Sequence, residues 1–231
     1  MREQRAGTLH QGAELAFFGV VTASLSHQIN NVLTIISELN GLSEDLLVAG
    51  QTEELAHDRL QAATARIAEN LQRAVEYVRT LNRFSHSADQ QEATCDLTNL
   101  VVLLQAITQR FFELAKAQLI VNVPEREMVL SVRPFAMLHL LFRAVRAALL
   151  AAGRGGEVRL SLEDARDAVE VRLSAAGGQG EGGAADAELA TLEAACRELG
   201  GTVVFGDERA ALPIRILIPR NLPQPGEVEA R

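Results

Sequence analysis

Tryptophan is absent from this chain, aromatic residues make up only 4% of it, and there are two cysteines. With 48% apolar residues and so few rings, the core has to be built from Leu, Ile, Val and Ala, which suits packed helices. Cys95 and Cys196 have no metal-site spacing, and one pair is no disulfide framework for 231 residues. No window approaches 18 uninterrupted apolar residues, so no membrane span is expected. Residues 1–11 are polar and lack the apolar stretch of a leader. The net charge of −8, with no long basic run, excludes nucleic acid or an anionic membrane as the main partner. The expectation is a cytoplasmic protein.

Proline is missing from the run between Ala13 and Val48, where apolar residues follow a helical period. Leu15, Phe18, Thr22, Leu25, Ile29, Val32, Ile36 and Leu39 step by three or four. His27 falls off that stripe, with Ala23, Ser24, Asn30 and Asn31 as its neighbours one turn away. An accessible imidazole on the wet side of a long helix is available as a nucleophile or proton carrier. Gly50 ends this helix, and Thr52 followed by Glu53 and Glu54 starts the next. That second helix, to about Arg83, carries Leu60, Thr64, Ile67, Leu71, Ala74, Val78 and Leu81 as a coiled-coil-like seam. The two make an antiparallel hairpin about 45–55 Å long. Two helices alone leave Leu33, Leu46, Leu47, Tyr77 and Phe84 without cover. Pairing two hairpins into a four-helix bundle supplies it, so a homodimer is expected.

The remaining pattern assigns 1–12 to a flexible arm, 13–85 to the hairpin, 86–95 to a linker, 96–219 to a second domain and 220–231 to a disordered tail. In the second domain Asp96 caps a helix to Ala117, followed by strands at 118–123 and 128–132. Pro134 opens a helix to Ala152. Alternation at Val158, Leu160, Leu162 and at Val169, Val171, Leu173 gives a hairpin joined through 163–167. The Gly-rich stretch 177–183, a helix over 185–199 and strands at 203–205 and 212–218 follow. The fold class is α+β: a long helical hairpin followed by an α/β sandwich.

This order, with Ser26-His27-Gln28-Ile29-Asn30-Asn31 on the first helix, resembles the core of two-component sensor histidine kinases. Their dimerisation helix carries a phosphoacceptor histidine in a motif like His-Glu-x-x-Asn. The resemblance implies that His27 is the phosphoacceptor and that the second domain is an ATPase-like sandwich. It also implies what has been lost. The carboxylate that serves as general base after the histidine is Gln28, whose amide cannot take a proton at neutral pH. The helix that offers a Mg²⁺-binding Asn has Arg143 and Ala147 there, and no Asn occurs between Asn122 and Asn221. The adenine-reading Asp-x-Gly-x-Gly falls on Ala175-Ala176-Gly177-Gly178-Gln179. Asp186-Ala187-Glu188-Leu189 replaces the later Gly-Leu-Gly-Leu.

The resulting expectation resembles a histidine phosphotransferase. His27 takes a phosphoryl group from the aspartate of a response-regulator receiver domain and passes it on. Catalytic roles fall to His27, Asn31 and Gln28, with Arg73 a candidate for steadying phosphate. In the resembled family an amide at the Asn31 position orients water for phosphatase activity. No cofactor is expected on this chain; Mg²⁺ is expected on the receiver. The alternatives are an ATP-dependent histidine kinase with a divergent nucleotide site and a non-catalytic dimeric module that binds a response regulator.

Overall fold

The computed structural model describes residues 2–48, 53–89, 94–177, 182–206 and 213–220. The chain divides into two compact units, residues 1–85 and 86–231.

The first unit is a helical hairpin of α1 (Arg2–Val48) and α2 (Glu53–Asp89). The expected flexible arm over 1–12 is helical from Arg2. Its Arg-Glu-Gln-Arg-Ala start is made of good helix formers, and extending an existing helix costs far less than nucleating one. Likewise, the first residues of the expected 86–95 linker continue α2 to Asp89.

The buried row on α1 is Phe17, Val21, Leu25, Gln28, Val32, Leu39 and Leu46, a heptad-like seam. It is rotated from the expected stripe: Leu25, Val32 and Leu39 are shared, while Leu15 is 73% exposed. From α2, Ala63, Asn70, Ala74 and Phe84 are buried, whereas Leu71 and Val78 of the expected seam are exposed. Phe84 is fixed by two rings of α1, edge-on to Phe17 at 5.4 Å and stacked on Phe18 at 5.3 Å between centroids. Such pairs add about 0.5–1.5 kcal/mol beyond their area burial. Phe84 and Leu46 therefore find cover inside one chain. Leu33 and Leu47 do not.

The second unit is the α/β sandwich. A five-stranded sheet runs β2 (Gln118–Asn122), β4 (Glu157–Ala165), β5 (Ala168–Ala176), β7 (Ile214–Pro219), β6 (Thr202–Phe205). Only β2 and β4 are parallel among these neighbours, joined by a crossover through α4 (Pro134–Ala152). Val158, Leu160 and Leu162, with Val169, Val171 and Leu173 and with Ile214, Ile216 and Ile218, form the buried face. Alternation of period two sends Arg159, Glu163, Glu170, Arg172 and Arg215 to the opposite face. The β4–β5 turn needs only Arg166 and Asp167, shorter than the expected connection.

α3 (Leu97–Ala115), α4 and α5 (Gly182–Glu198) supply the helical layer. Asp96 caps α3 by accepting the Thr98 backbone N–H, and the same oxygen accepts Met128 N–H. That ties the helix start to the small ribbon of β1 (Thr94–Asp96) and β3 (Val129–Ser131). By length and composition α4 is apolar enough to cross a membrane, but 72% of its most apolar window is buried inside this domain. The expected tail, from residue 221, and most of the Gly-rich stretch, 178–181, lie outside the described residues.

Candidate functional site

His27 is exposed near the middle of α1. Asn31, one turn on and also exposed, places its Nδ2 3.2 Å from His27 Nδ1. The other ring nitrogen, Nε2, has no hydrogen bond among the described residues in that arrangement. Gln28 is different. It is 5% exposed, built into the hairpin seam, and its buried Nε2 has no hydrogen-bond partner among the described residues. The structure thus brings together His27 and Asn31, while Gln28 joins the core instead. A heptad position points the Gln28 side chain into the hairpin seam.

The Phe17–Phe84 contact sets the hairpin register. Ten residues along each helix from that contact, His27 stands level with Ala74, next to Arg73. The Arg73 guanidinium donates to Glu69 at 2.6 Å, both side chains being more than half exposed. The Arg73 guanidinium is thus held by its own helix.

The second region of interest lies between α4 and α5, at the positions the resemblance assigned to Mg²⁺ and to the start of the later helix. Arg143 Nε donates to Glu188 at 3.4 Å, and its Nη2 donates to the Thr191 hydroxyl. Arg146 stands 3.6 Å from the other Glu188 oxygen and 5.8 Å from the Phe142 ring. Arg143 and Glu188 are about four-fifths buried, at 19% and 20% exposure. Around them Leu141, Ala144, Val145, Ala147 and Ala148 are buried apolar residues. An arginine donates only, so Arg143 offers a metal no lone pair. Among the described residues no group of three His, Cys, Asp or Glu could hold a metal ion. At these two positions Arg143 and Ala147 present no side-chain lone pair to a metal. Glu188 appeared in the sequence only as a departure from a glycine motif; its pairing with a residue 45 positions earlier had no signal there.

Burial pushes the thiols of Cys95 and Cys196 up to about 11, so neither is a thiolate nucleophile at neutral pH. His139 is buried within α4, and His86 lies 4.0 Å from Asp89 at the exposed end of α2.

No protein-family model matches this chain, and no curated protein matches it. Solved structures do. A histidine kinase from Burkholderia phymatum superposes over 86% of this chain and 98% of its own, with 12% identity and a TM-score of 0.50. The fold is that of a histidine kinase core. Acinetobacter baumannii histidine kinase AdeS matches over 83% of this chain and 98% of its own, at 15% identity and a TM-score of 0.47. Histidine kinase ThkA, solved in complex with the response regulator protein TrrA, covers 89% of this chain and 63% of its own at 15% identity and 0.47. In this kinase-like core the hairpin carries His27, and the sandwich has the Arg143–Glu188 pair between α4 and α5.

Proposed function

We propose that this chain is a histidine phosphotransferase of a two-component phosphorelay, acting as a homodimer on response-regulator receiver domains. The observation that carries the reading is the exposed His27 imidazole, with Nδ1 beside Asn31 and Nε2 open. In the first half-reaction the Nε2 lone pair forms a bond to phosphorus. The P–O bond of the receiver's aspartyl phosphate breaks, and the electron pair leaves on the carboxylate. The second half-reaction reverses these bonds onto another receiver. A rigid helix holds the ring for in-line approach, and the receiver brings its own Mg²⁺. Asn31 serves a phosphatase side activity by orienting water toward the receiver's phosphoaspartate.

The ion pair between α4 and α5 supports the absence of ATP from this scheme. A donor-only arginine held by a carboxylate and a hydroxyl stands where the metal amide is expected. The test is transfer of ³²P from a phosphorylated receiver. Label should appear on wild-type chain and be lost in His27→Ala; a wild type that stays unlabelled across the candidate receivers ends the proposal.

The kinase-like fold favours a second reading, an ATP-dependent histidine kinase with a divergent nucleotide site. Labelled ATP with Mg²⁺ decides between them. Stable label on His27 from ATP alone would select the kinase.

A further inference from the structure

In the five-stranded sheet β2 is an outer strand. It pairs with β4 on one side, and among the described residues no strand pairs with its other side. Alternate residues of a strand send their N–H and C=O groups to opposite sides. Gln118 donates its N–H to Gly156, just before β4, so Gln118, Ile120 and Asn122 face β4. Leu119 and Val121 therefore turn their N–H and C=O groups to the open edge. Protected edges commonly carry a charge, a proline or a bulge. The run Gln118-Leu119-Ile120-Val121-Asn122 has neither charge nor proline.

Beside that edge lies a groove of about 670 Å³ between α3 and β2. Val102, Ala106 and Phe112 of α3 line it, with Ala117 and Leu119 on the strand side, and Val102 is 47% exposed. Where β2 begins, Glu113 and Lys116 line it as well. The Glu113 carboxylate is engaged, accepting from Gln109 at 2.9 Å and standing 3.7 Å from Arg110. Lys116 is exposed and has no ion pair among the described residues. Its backbone is left-handed, with φ of 52°, at a helix end where glycine is the usual residue.

We propose that the β2 edge and this groove dock an extended peptide segment of a partner protein, which joins the sheet as a sixth strand. Its backbone pairs with Leu119 and Val121, alternate apolar side chains enter the groove beside Val102 and Leu119, and an acidic side chain meets Lys116. Main-chain hydrogen bonds supply affinity in this mode, and the groove supplies the choice of sequence. A docked helix would leave the Leu119 and Val121 groups unpaired, and one free cation is too few for a nucleic acid. An antiparallel strand is favoured over a parallel one. It runs opposite to β2, which puts its acidic residue at its C-terminal end. The site uses no residue of the helical hairpin, so it stands whether or not His27 carries phosphate.

The experiment is amide hydrogen exchange, read by NMR on the full ¹⁵N-labelled chain. The probes are two short acetylated peptides of alternating threonine and valine, one closed by glutamate and the other by lysine. In the free chain the Leu119 and Val121 amides should exchange faster than that of Ile120, which is bonded to β4. The glutamate peptide should slow both, and should bind about fivefold tighter than the lysine peptide, the size of one exposed ion pair. Lys116→Glu should reverse that preference. Val121→Pro removes an N–H that points away from β4, a place where an edge strand tolerates proline, and should weaken binding about tenfold. Lys116→Glu, at an exposed position, keeps the test decisive if Val121→Pro does not fold. Three results overturn the proposal: no saturable binding of either peptide, binding that leaves Leu119 and Val121 exchange unchanged, or an unaltered preference in Lys116→Glu. Slow exchange of both amides in the free chain also overturns it. Protection that rises with protein concentration would give the edge to a second copy, and protection that does not would give it to another segment of this chain.

Discussion

Arg143 on α4 and Glu188 on α5, 45 residues apart in sequence, form an ion pair at 3.4 Å, with Thr191 taking a second hydrogen bond from the same guanidinium. The pair is mostly out of solvent, so removing one partner strands the other charge and costs more than at a surface pair. Replacing Arg143 by Ala should lower the stability of the α/β sandwich by roughly 1.5–3 kcal/mol, the range for hydrogen bonds to charged groups. Arg146→Ala, whose contact is longer and more exposed, should cost about 0.5 kcal/mol. Urea unfolding followed by circular dichroism checks the order. Equal effects would contradict it.

The same pair bears on nucleotide. Calorimetric titration of the chain with Mg²⁺–ATP should give no saturable heat. Saturable binding, abolished by unlabelled ADP, would show that this sandwich still takes the ligand and would favour the kinase reading.

Gln28 buries an amide nitrogen with no partner in the hairpin seam, and an unmade hydrogen bond of this kind costs about 1–3 kcal/mol. Gln28→Leu should therefore raise the melting temperature of the hairpin at fixed protein concentration. Gln28→Glu should lower it near neutral pH, because the seam has to desolvate a charge. A melting temperature lowered by both would mean that the amide is paired in the assembled protein.

Leu71, Val75 and Val78 step by four and three along α2 and are 55%, 42% and 43% exposed. They are the face that a second hairpin covers in the proposed four-helix bundle. Leu71→Glu with Val75→Glu should convert dimer to monomer, read by sedimentation velocity. A wild-type chain that is monomeric at micromolar concentration contradicts the bundle.

On the open face of the sheet, Glu170 accepts from Arg172 at 3.0 Å and from Arg215 at 2.6 Å. These hydrogen bonds, first from Arg172 and then from Arg215, hold its carboxyl below the usual carboxylate range despite its burial. A pKa lowered by folding adds stability that is complete above the unfolded value near 4.5 and is lost as pH falls through the folded one. The urea midpoint of wild type should drop between pH 5 and the acid limit, and that of Glu170→Gln should drop less. Parallel profiles would remove Glu170 from the acid response.

Much of the sandwich was legible because its elements carry local punctuation. Pro134 opens α4, Asp96 caps α3, and strict alternation at Val158–Leu162 and Val169–Leu173 leaves one face apolar. The hairpin was legible as two helices, but its seam was misjudged. The helices carry more apolar positions than one partner can bury, so Leu15 and Leu71 fit the period as well as Phe17 and Ala74 do. Which row turns inward depends on how two helices pack, and the Phe17–Phe84 contact decides it.

The chain order of residues determined the element types, the place of His27 off the apolar stripe and the absence of Asn from the helix after Pro134. These depend on spacing and on which side chains exist at all. The neighbourhood of His27 and Asn31, one helical turn apart, follows from the same local period. Tertiary structure alone decided that Gln28 turns into the core and that Arg143 finds Glu188. Helix rotation sets the first and a contact across 45 residues sets the second, and neither is written in the local period of a sequence.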